Sequence, residues 1–263
     1  GDPEGSVAFF AALLAVAAIA YAAGLLALCQ RPGGEIAADV GARIAEVSHE
    51  LRTPLTHILG FAEMIERRLF GDINERYSEY AGLIRKSGNH LLGLVNDLLD
   101  ISRIEAGRYP IEREIFDARS LVEEVVRLST DAAQRKTIAL AMITPEAPIM
   151  VSADAAALRR IIINLVGNAL KFSPEGARVA VSAAISAGSL VLEVTDTGPG
   201  IPAHERARLA VPYERGGGAE EGAGLGLSLV RALAALHGGE LSLLEAPGGG
   251  ALIRVSLPVL VAL

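Results

Sequence analysis

Tryptophan is absent from this chain, and aromatic residues make up only 4% of its 263 positions. Cysteine occurs once, as Cys29, which excludes a disulfide scaffold and a cysteine-rich metal site. Basic residues do not predominate: 24 Lys and Arg stand against 31 Asp and Glu, for a formal net charge of −7. A nucleic-acid binder needs a basic face to neutralise phosphates, so no nucleic-acid partner is expected. No internal repeat is visible. What the chain does have is aliphatic bulk. The apolar fraction is 51%, and the mean hydropathy is +0.39.

Much of that excess lies between Val7 and Leu28, a run of 22 residues without a charge. A helix of this length measures about 33 Å, enough for a hydrocarbon core of about 30 Å. A transmembrane helix in contact with lipid is expected here; a buried Ala-rich helix is the alternative. Asp2 and Glu4 precede the run and Arg31 follows it, so the basic side, and the chain after it, is expected in the cytoplasm. The sequence starts with Gly rather than Met, and upstream segments are expected to be missing.

Pro32-Gly33-Gly34 breaks the first helix. A new apolar stripe then runs through Ile36, Val40, Ile44, Val47, Leu51, Ile58, Ala62, Ile65 and Leu69, at spacings dominated by three and four. Gly71-Asp72-Ile73-Asn74 interrupts it. A second stripe passes through Tyr80, Ile84, Leu91, Leu94, Leu98 and Ile101 and stops at Gly107. Two such helices form an antiparallel hairpin, which cannot bury both stripes alone. Pairing two copies into a four-helix bundle would, so a homodimer is expected.

After Pro110 the texture changes. Alternating runs at 178–185 and 190–196 read as strands. Helical patterns lie at about 119–134, 153–171 and 225–237, with Ser152 or Asp154 as the cap of the second. Residues 202–224, rich in glycine and charge, read as a long loop. The fold class is therefore α+β: residues 1–34 the membrane segment and linker, 35–107 the helical hairpin, and 108–263 an α/β sandwich.

Several groups of residues carry chemistry. His49 lies two positions from Val47 and two from Leu51, a rotation of about 200°, so it points away from the apolar seam. Thr53 shares its face, and Glu50 can hydrogen-bond an imidazole nitrogen. Pro54 lacks an N–H, so it leaves the Glu50 carbonyl unpaired and bends the helix just after the site. Asn164, Asn168 and Lys171 share one helix face. Amide oxygens suit Mg²⁺, and a lysine suits phosphate, although the triple taken alone reads first as an ordinary polar face. Asp196 ends an apolar run and is followed by Gly198 and Gly200; a carboxylate there can accept the amine of adenine, or simply end a strand. Gly222, Gly224 and Gly226 open a helix whose N–H groups can hold phosphates, but no lysine follows as it would in a Walker loop. His57, His90, His204 and His237 have no such context and read as surface or packing residues.

The string Ser48-His49-Glu50-Leu51-Arg52-Thr53-Pro54-Leu55 resembles the H-box of sensor histidine kinases. Asn164 to Lys171, Asp196 to Ile201 and Gly222 to Leu227 are similar, in order, to the N, G1 and G2 boxes of the same family. The resemblance implies a Bergerat-type ATP-binding fold, shared with gyrase, heat-shock-90 and mismatch-repair ATPases. It implies that His49 accepts a phosphoryl group from ATP, with Glu50 orienting and deprotonating the ring. Thr53 would help place water for dephosphorylating the partner. Asn168 would hold Mg²⁺, Asn164 and Lys171 would lie near the phosphates, and Asp196 would bind adenine. Gly198, Gly200, Gly224 and Gly226 would shape the pocket and lid. An aspartate on a response-regulator receiver domain would take the phosphoryl group. The setting implied is the bacterial inner membrane, with the catalytic part cytoplasmic.

Two positions set the chain apart. Related ATPases often carry a Glu four residues before the metal-binding Asn; here it is Asn164, which cannot act as a base. The family's Phe-Glu-Pro-Phe box is replaced by Ala210-Val211-Pro212-Tyr213, which leaves room for a catalytically weak scaffold that binds the regulator. The segments Phe61-Ala62-Glu63-Met64-Ile65, Ser87-Gly88-Asn89-His90-Leu91-Leu92 and Ile104-Glu105-Ala106-Gly107 look like those of the PleC/DivJ-type cell-cycle kinases of alphaproteobacteria.

Overall fold

The computed structural model describes residues 55–56, 58–69, 71, 74–209, 225–258 and 260–261. The expected membrane segment and His49, Glu50 and Thr53 lie outside the described residues, as do Gly224 and the 210–213 box. Among the described residues no helix is long and apolar enough to cross a membrane. The chain divides into two compact units, Gly1–Arg108 and Tyr109–Leu263.

In the first unit, residues 58–66 are helical, and α1 spans Glu75–Glu105. Asn74 starts α1, its side chain accepting the Arg76 N–H at 3.0 Å. Gly107, at φ 65°, ends it: the Arg108 N–H reaches the Arg103 carbonyl at 2.8 Å and the Gly107 N–H reaches Ile104 at 2.9 Å. This left-handed glycine stop satisfies carbonyls that the last turn leaves open. The two helices run antiparallel. Ser78 Oγ donates to the Glu66 carbonyl at 3.1 Å, Arg85 pairs with Glu66, and Leu59 lies over Gly88. A side chain on Gly88 would come within 2.7 Å of Leu59 Cδ2.

The seam inside the hairpin is therefore made of small residues: Ala62, Ala81 and Gly88 are buried. Most of the large apolar residues are not, the buried exceptions being Leu99 and Ile101 near the end of α1. Ile58, Phe61, Ile65, Leu69 and Ile84 are exposed, and Leu91, Leu94 and Leu98 are half-buried.

The second unit is a two-layer sandwich. Its five-stranded sheet has the order β2-β4-β5-β7-β6, from β2 (Ala139–Ile143), β4 (Arg178–Ser186), β5 (Ser189–Asp196), β6 (Glu240–Glu245) and β7 (Ala251–Pro258). Only the β2–β4 pair is parallel. Alternation places Val179, Val181 and Ala183 of β4, Leu190, Leu192 and Val194 of β5, and Ile253, Val255 and Leu257 of β7 in the core. The opposite side of β5 and β7 is polar, with Glu193 paired to Arg254 at 2.6 Å. Three helices pack on this unit's sheet: α2 (Ala118–Arg135), α3 (Ala155–Phe172) and α5 (Gly226–Leu236). A small sheet, β1-β3-β8, joins β1 (Glu114–Asp117), β3 (Met150–Ala153) and β8 (Leu260–Val261).

Asp154, not Ser152, caps α3, its Oδ1 accepting the Ala157 N–H at 2.9 Å; Ser152 is paired within β3. Asp117 caps α2 and also accepts the Ile149 N–H at 2.7 Å, which ties the helix to the start of β3. Burial raises the Asp117 carboxyl, but its bonds from Ser120, Ile149 and Arg119 outweigh this and hold it below the ordinary range. The expected loop at 202–224 begins instead as a short helix, α4 (Ala203–Leu209). Pro202 carries no N–H and offers its carbonyl to Glu205 at 2.9 Å, so it starts a helix at little cost.

Candidate nucleotide site

Helix α3 is the spine of the site. Leu158, Ile161, Ile162, Leu165 and Val166 are buried in the core. The 3.6-residue repeat then brings Asn164 and Asn168 to the rim, half-buried. Asn164 Nδ2 donates to the Arg160 carbonyl at 3.0 Å, which fixes the amide and leaves Oδ1 beside Gly226. Gly226, the first residue of α5, lies directly against this pair. A side chain there would begin 3.0 Å from Asn164 Oδ1 and 3.5 Å from Asn168 Nδ2. Among the described residues no side chain caps the N-terminus of α5, and the Ser228 hydroxyl turns back to the Leu225 carbonyl at 2.8 Å. Backbone donors thus open beside two amide side chains.

One helical turn along α3, about 6 Å, the second part of the site meets its C-terminus. Asp196 ends β5 and is buried. Its Oδ1 accepts the Gly198 N–H at 2.8 Å and the Ala251 N–H at 3.2 Å. No described residue bonds to Oδ2, so one carboxylate oxygen is anchored and the other is available. Gly198 packs on Ser173 and the Phe172 carbonyl, where a side chain would touch at 3.5 Å. The structure therefore brings Asn164, Asn168 and Gly226 together, and sets Asp196 and Gly198 at the end of the same helix. Lys171 is half-buried, with its ammonium 5.2 Å from the centre of the half-exposed Phe172 ring. Gly200, at φ 74°, lies 3.0 Å from the Gly250 carbonyl, measured from the Cβ it lacks.

Gly250 borders the candidate site and has no signal in the sequence that marks it so. A Cβ there would fall 2.0 Å from the Asp196 carbonyl oxygen, and its φ of 95° excludes most side chains. Its only sequence signal is the run Gly248-Gly249-Gly250, which reads as a turn and gives no hint of the distant Asp196. Lys136 is likewise unmarked: its ammonium donates to the carbonyls of Leu170 and Lys171, each at 2.9 Å, and closes the C-terminus of α3. His237 is buried and His90 and His204 are exposed, as expected for packing and surface residues; His57 is outside the described residues.

Residues 153–261 match the histidine kinase-, DNA gyrase B- and HSP90-like ATPase family, and residues 41–107 match the His Kinase A (phospho-acceptor) domain. A mycobacterial sensor histidine kinase, MprB, is 30% identical over a structure of which this chain covers 100%, with 57% of this chain aligned and a TM-score of 0.50. The chain belongs to the histidine kinase family. Histidine protein kinase DivJ of Caulobacter vibrioides is 48% identical over 222 residues, covering 83% of this chain and 37% of that one. The expected likeness to PleC/DivJ-type kinases is thus borne out. Full-length ShkA, solved in complex with AMPPNP, is 34% identical with a TM-score of 0.72, over 84% of this chain and 46% of that one. The chain spans less than half the length of the curated relatives it matches.

Proposed function

We propose that this chain is a membrane-bound sensor histidine kinase that transfers the γ-phosphoryl of ATP to His49 and then to an aspartate of a response regulator. The observation that carries this reading is the double site on α3: an anchored Asp196 at one end, and Asn164, Asn168 and an uncapped helix N-terminus at the other. Asp196 Oδ2 accepts the amine of an adenine. The first N–H groups of α5 receive phosphate oxygens, since a helix N-terminus carries partial positive charge. Lys171 adds a cation on the same helix face.

A divalent cation fits the donor set. Among the described residues no three His, Cys, Asp or Glu side chains cluster to hold a metal alone. Asn168 offers a neutral amide oxygen, which suits Mg²⁺ that arrives with nucleotide phosphates. Bound there, the ion would neutralise phosphate charge. Asn164 orients, rather than deprotonates, because an amide is no base. The acceptor would therefore be a protein side chain instead of water. His49 suits the role: an unperturbed imidazole has a pKa of about 6.5 and is mostly neutral and nucleophilic at cytoplasmic pH.

The large exposed apolar residues of the hairpin support a homodimer, in which a second copy covers them. Residues 7–28 anchor the chain in the inner membrane, with the catalytic part in the cytoplasm. Thr53 serves dephosphorylation of the regulator. The test is incubation of the full chain with γ-labelled ATP and Mg²⁺. Label is expected on the wild type and lost in His49→Ala; label persisting undiminished in that variant overturns the assignment. The Ala210-Val211-Pro212-Tyr213 box favours one second reading, a scaffold with weak catalysis. Nucleotide binding by an intact dimer without His49 labelling would select it.

A further inference from the structure

The Arg206 side chain in α4 reaches two places at once. Its Nε donates to the Ile201 carbonyl at 2.9 Å, and its Nη2 lies 3.5 Å from Glu245 Oε2. Ile201 closes the loop that begins at Asp196. Glu245 ends β6 and stands in register with Ala251 of β7, the residue whose N–H holds Asp196 Oδ1. The turn between them returns to the same place: the Ala246 N–H bonds the Gly250 carbonyl at 3.1 Å, and that carbonyl abuts Gly200. Loop 196–201 and the β6–β7 turn thus meet along one line, and the guanidinium bridges their outer ends.

We infer that Arg206 is a positioning residue for nucleotide binding, clamping the Ile201 carbonyl to Glu245 so that the Asp196 carboxylate keeps its geometry. The inference rests on reading Asp196 as a nucleotide ligand. The Glu245 side chain is 73% exposed, so the ion pair by itself contributes little. The stronger link is the charge-assisted bond to the Ile201 carbonyl, made by a side chain only 28% exposed. A planar fork serves both partners in one rotamer; an ammonium or an amide serves only one.

The test uses the full chain with Mg²⁺-ATP, titrated by calorimetry. Arg206→Ala is expected to weaken binding about five- to tenfold at unchanged stoichiometry, the size of one ordinary hydrogen bond, since the lost bond acts on the nucleotide only through Asp196. Arg206→Gln, which keeps a donor for Ile201, should fall between, and Glu245→Gln should change affinity less than about twofold. A purely structural role would lower the number of competent sites and leave their affinity unchanged. Without nucleotide, amide exchange at Gly198 and Ala251 should quicken in Arg206→Ala while the middle of β7 is unaffected. Wild-type affinity in Arg206→Ala overturns the proposal; should that variant fail to fold, wild-type affinity in Arg206→Gln does so. If the wild-type chain binds no ATP, the nucleotide reading falls, and unchanged exchange at Gly198 then overturns the clamp on its own.

Discussion

The two units bury their side chains in opposite ways. In the α/β unit many large aliphatic residues, such as Leu158, Leu165, Leu190 and Leu229, are wholly buried within one chain, although Ile115, Leu128 and Ile143 are exposed. In the helical unit the buried positions include Ala62 and Ala81, while Phe61, Leu69 and Leu83 are each about 60% exposed. A sheet covered by helices closes its own core. A two-helix hairpin has only one internal seam, and here glycine and alanine draw the helices close along it. Most of the larger residues, Leu99 and Ile101 excepted, are left on the outside, for another surface to cover. One unit is therefore complete as a fold, and the other is half of one.

The largest effect should come from breaking the complete unit. Gly250→Ala places a Cβ against the Asp196 carbonyl at an unfavourable φ, and about 3 kcal/mol or more of stability should be lost, with ATP binding. Urea unfolding and calorimetry would measure both; an unaltered unfolding midpoint would remove Gly250 from the site. Next, Ile65→Asp combined with Ile84→Asp tests the incomplete unit. Dimer dissociation should strengthen at least a hundredfold, about 3 kcal/mol, while ATP affinity stays constant. Sedimentation equilibrium reads the first quantity, and an undisturbed dimer would mean that a second copy covers some other face.

Smaller changes sharpen the contrast. Asp154→Ala removes the α3 cap and should cost about 1 kcal/mol, seen only in the transition of the α/β unit. Asp117→Asn should act through pH. The folded carboxyl is held below its ordinary value of 3.8, so its stabilisation is fully present above that pH and fades as the pH falls through the lower folded value. Unfolding midpoints of variant and wild type should therefore differ at neutral pH and converge in acid. A constant gap across that range would mean that the Asp117 charge is not the cause.

Much of this architecture is legible in the sequence. The β4 and β5 runs alternate strictly because one face is buried and the other is not, and the structure places them at Arg178–Ser186 and Ser189–Asp196. Helices α2, α3 and α5 fall within two residues of their expected bounds, since long apolar periodicity is hard to mistake. The strands of the small sheet went unread because two to four residues show no period. Helix α4 was hidden by the glycine and charge of the sequence that follows it.

At the nucleotide site the split is sharper. Asn164, Asn168 and Lys171 could be read together because a helix repeat is a local property. Sequence order also supplied Asp196 and the glycines after it. Gly250, Lys136 and Arg206 could not be found this way, since each acts on a residue brought near only by folding: the Asp196 backbone, the end of α3 and the Glu245 carboxylate. By itself the sequence determined the kinds of side chain and the local periods, which depend on neighbours a few bonds apart. The tertiary structure decided which oxygen of Asp196 is anchored and which is free, because the Ala251 N–H that helps hold it comes from a strand 55 residues away.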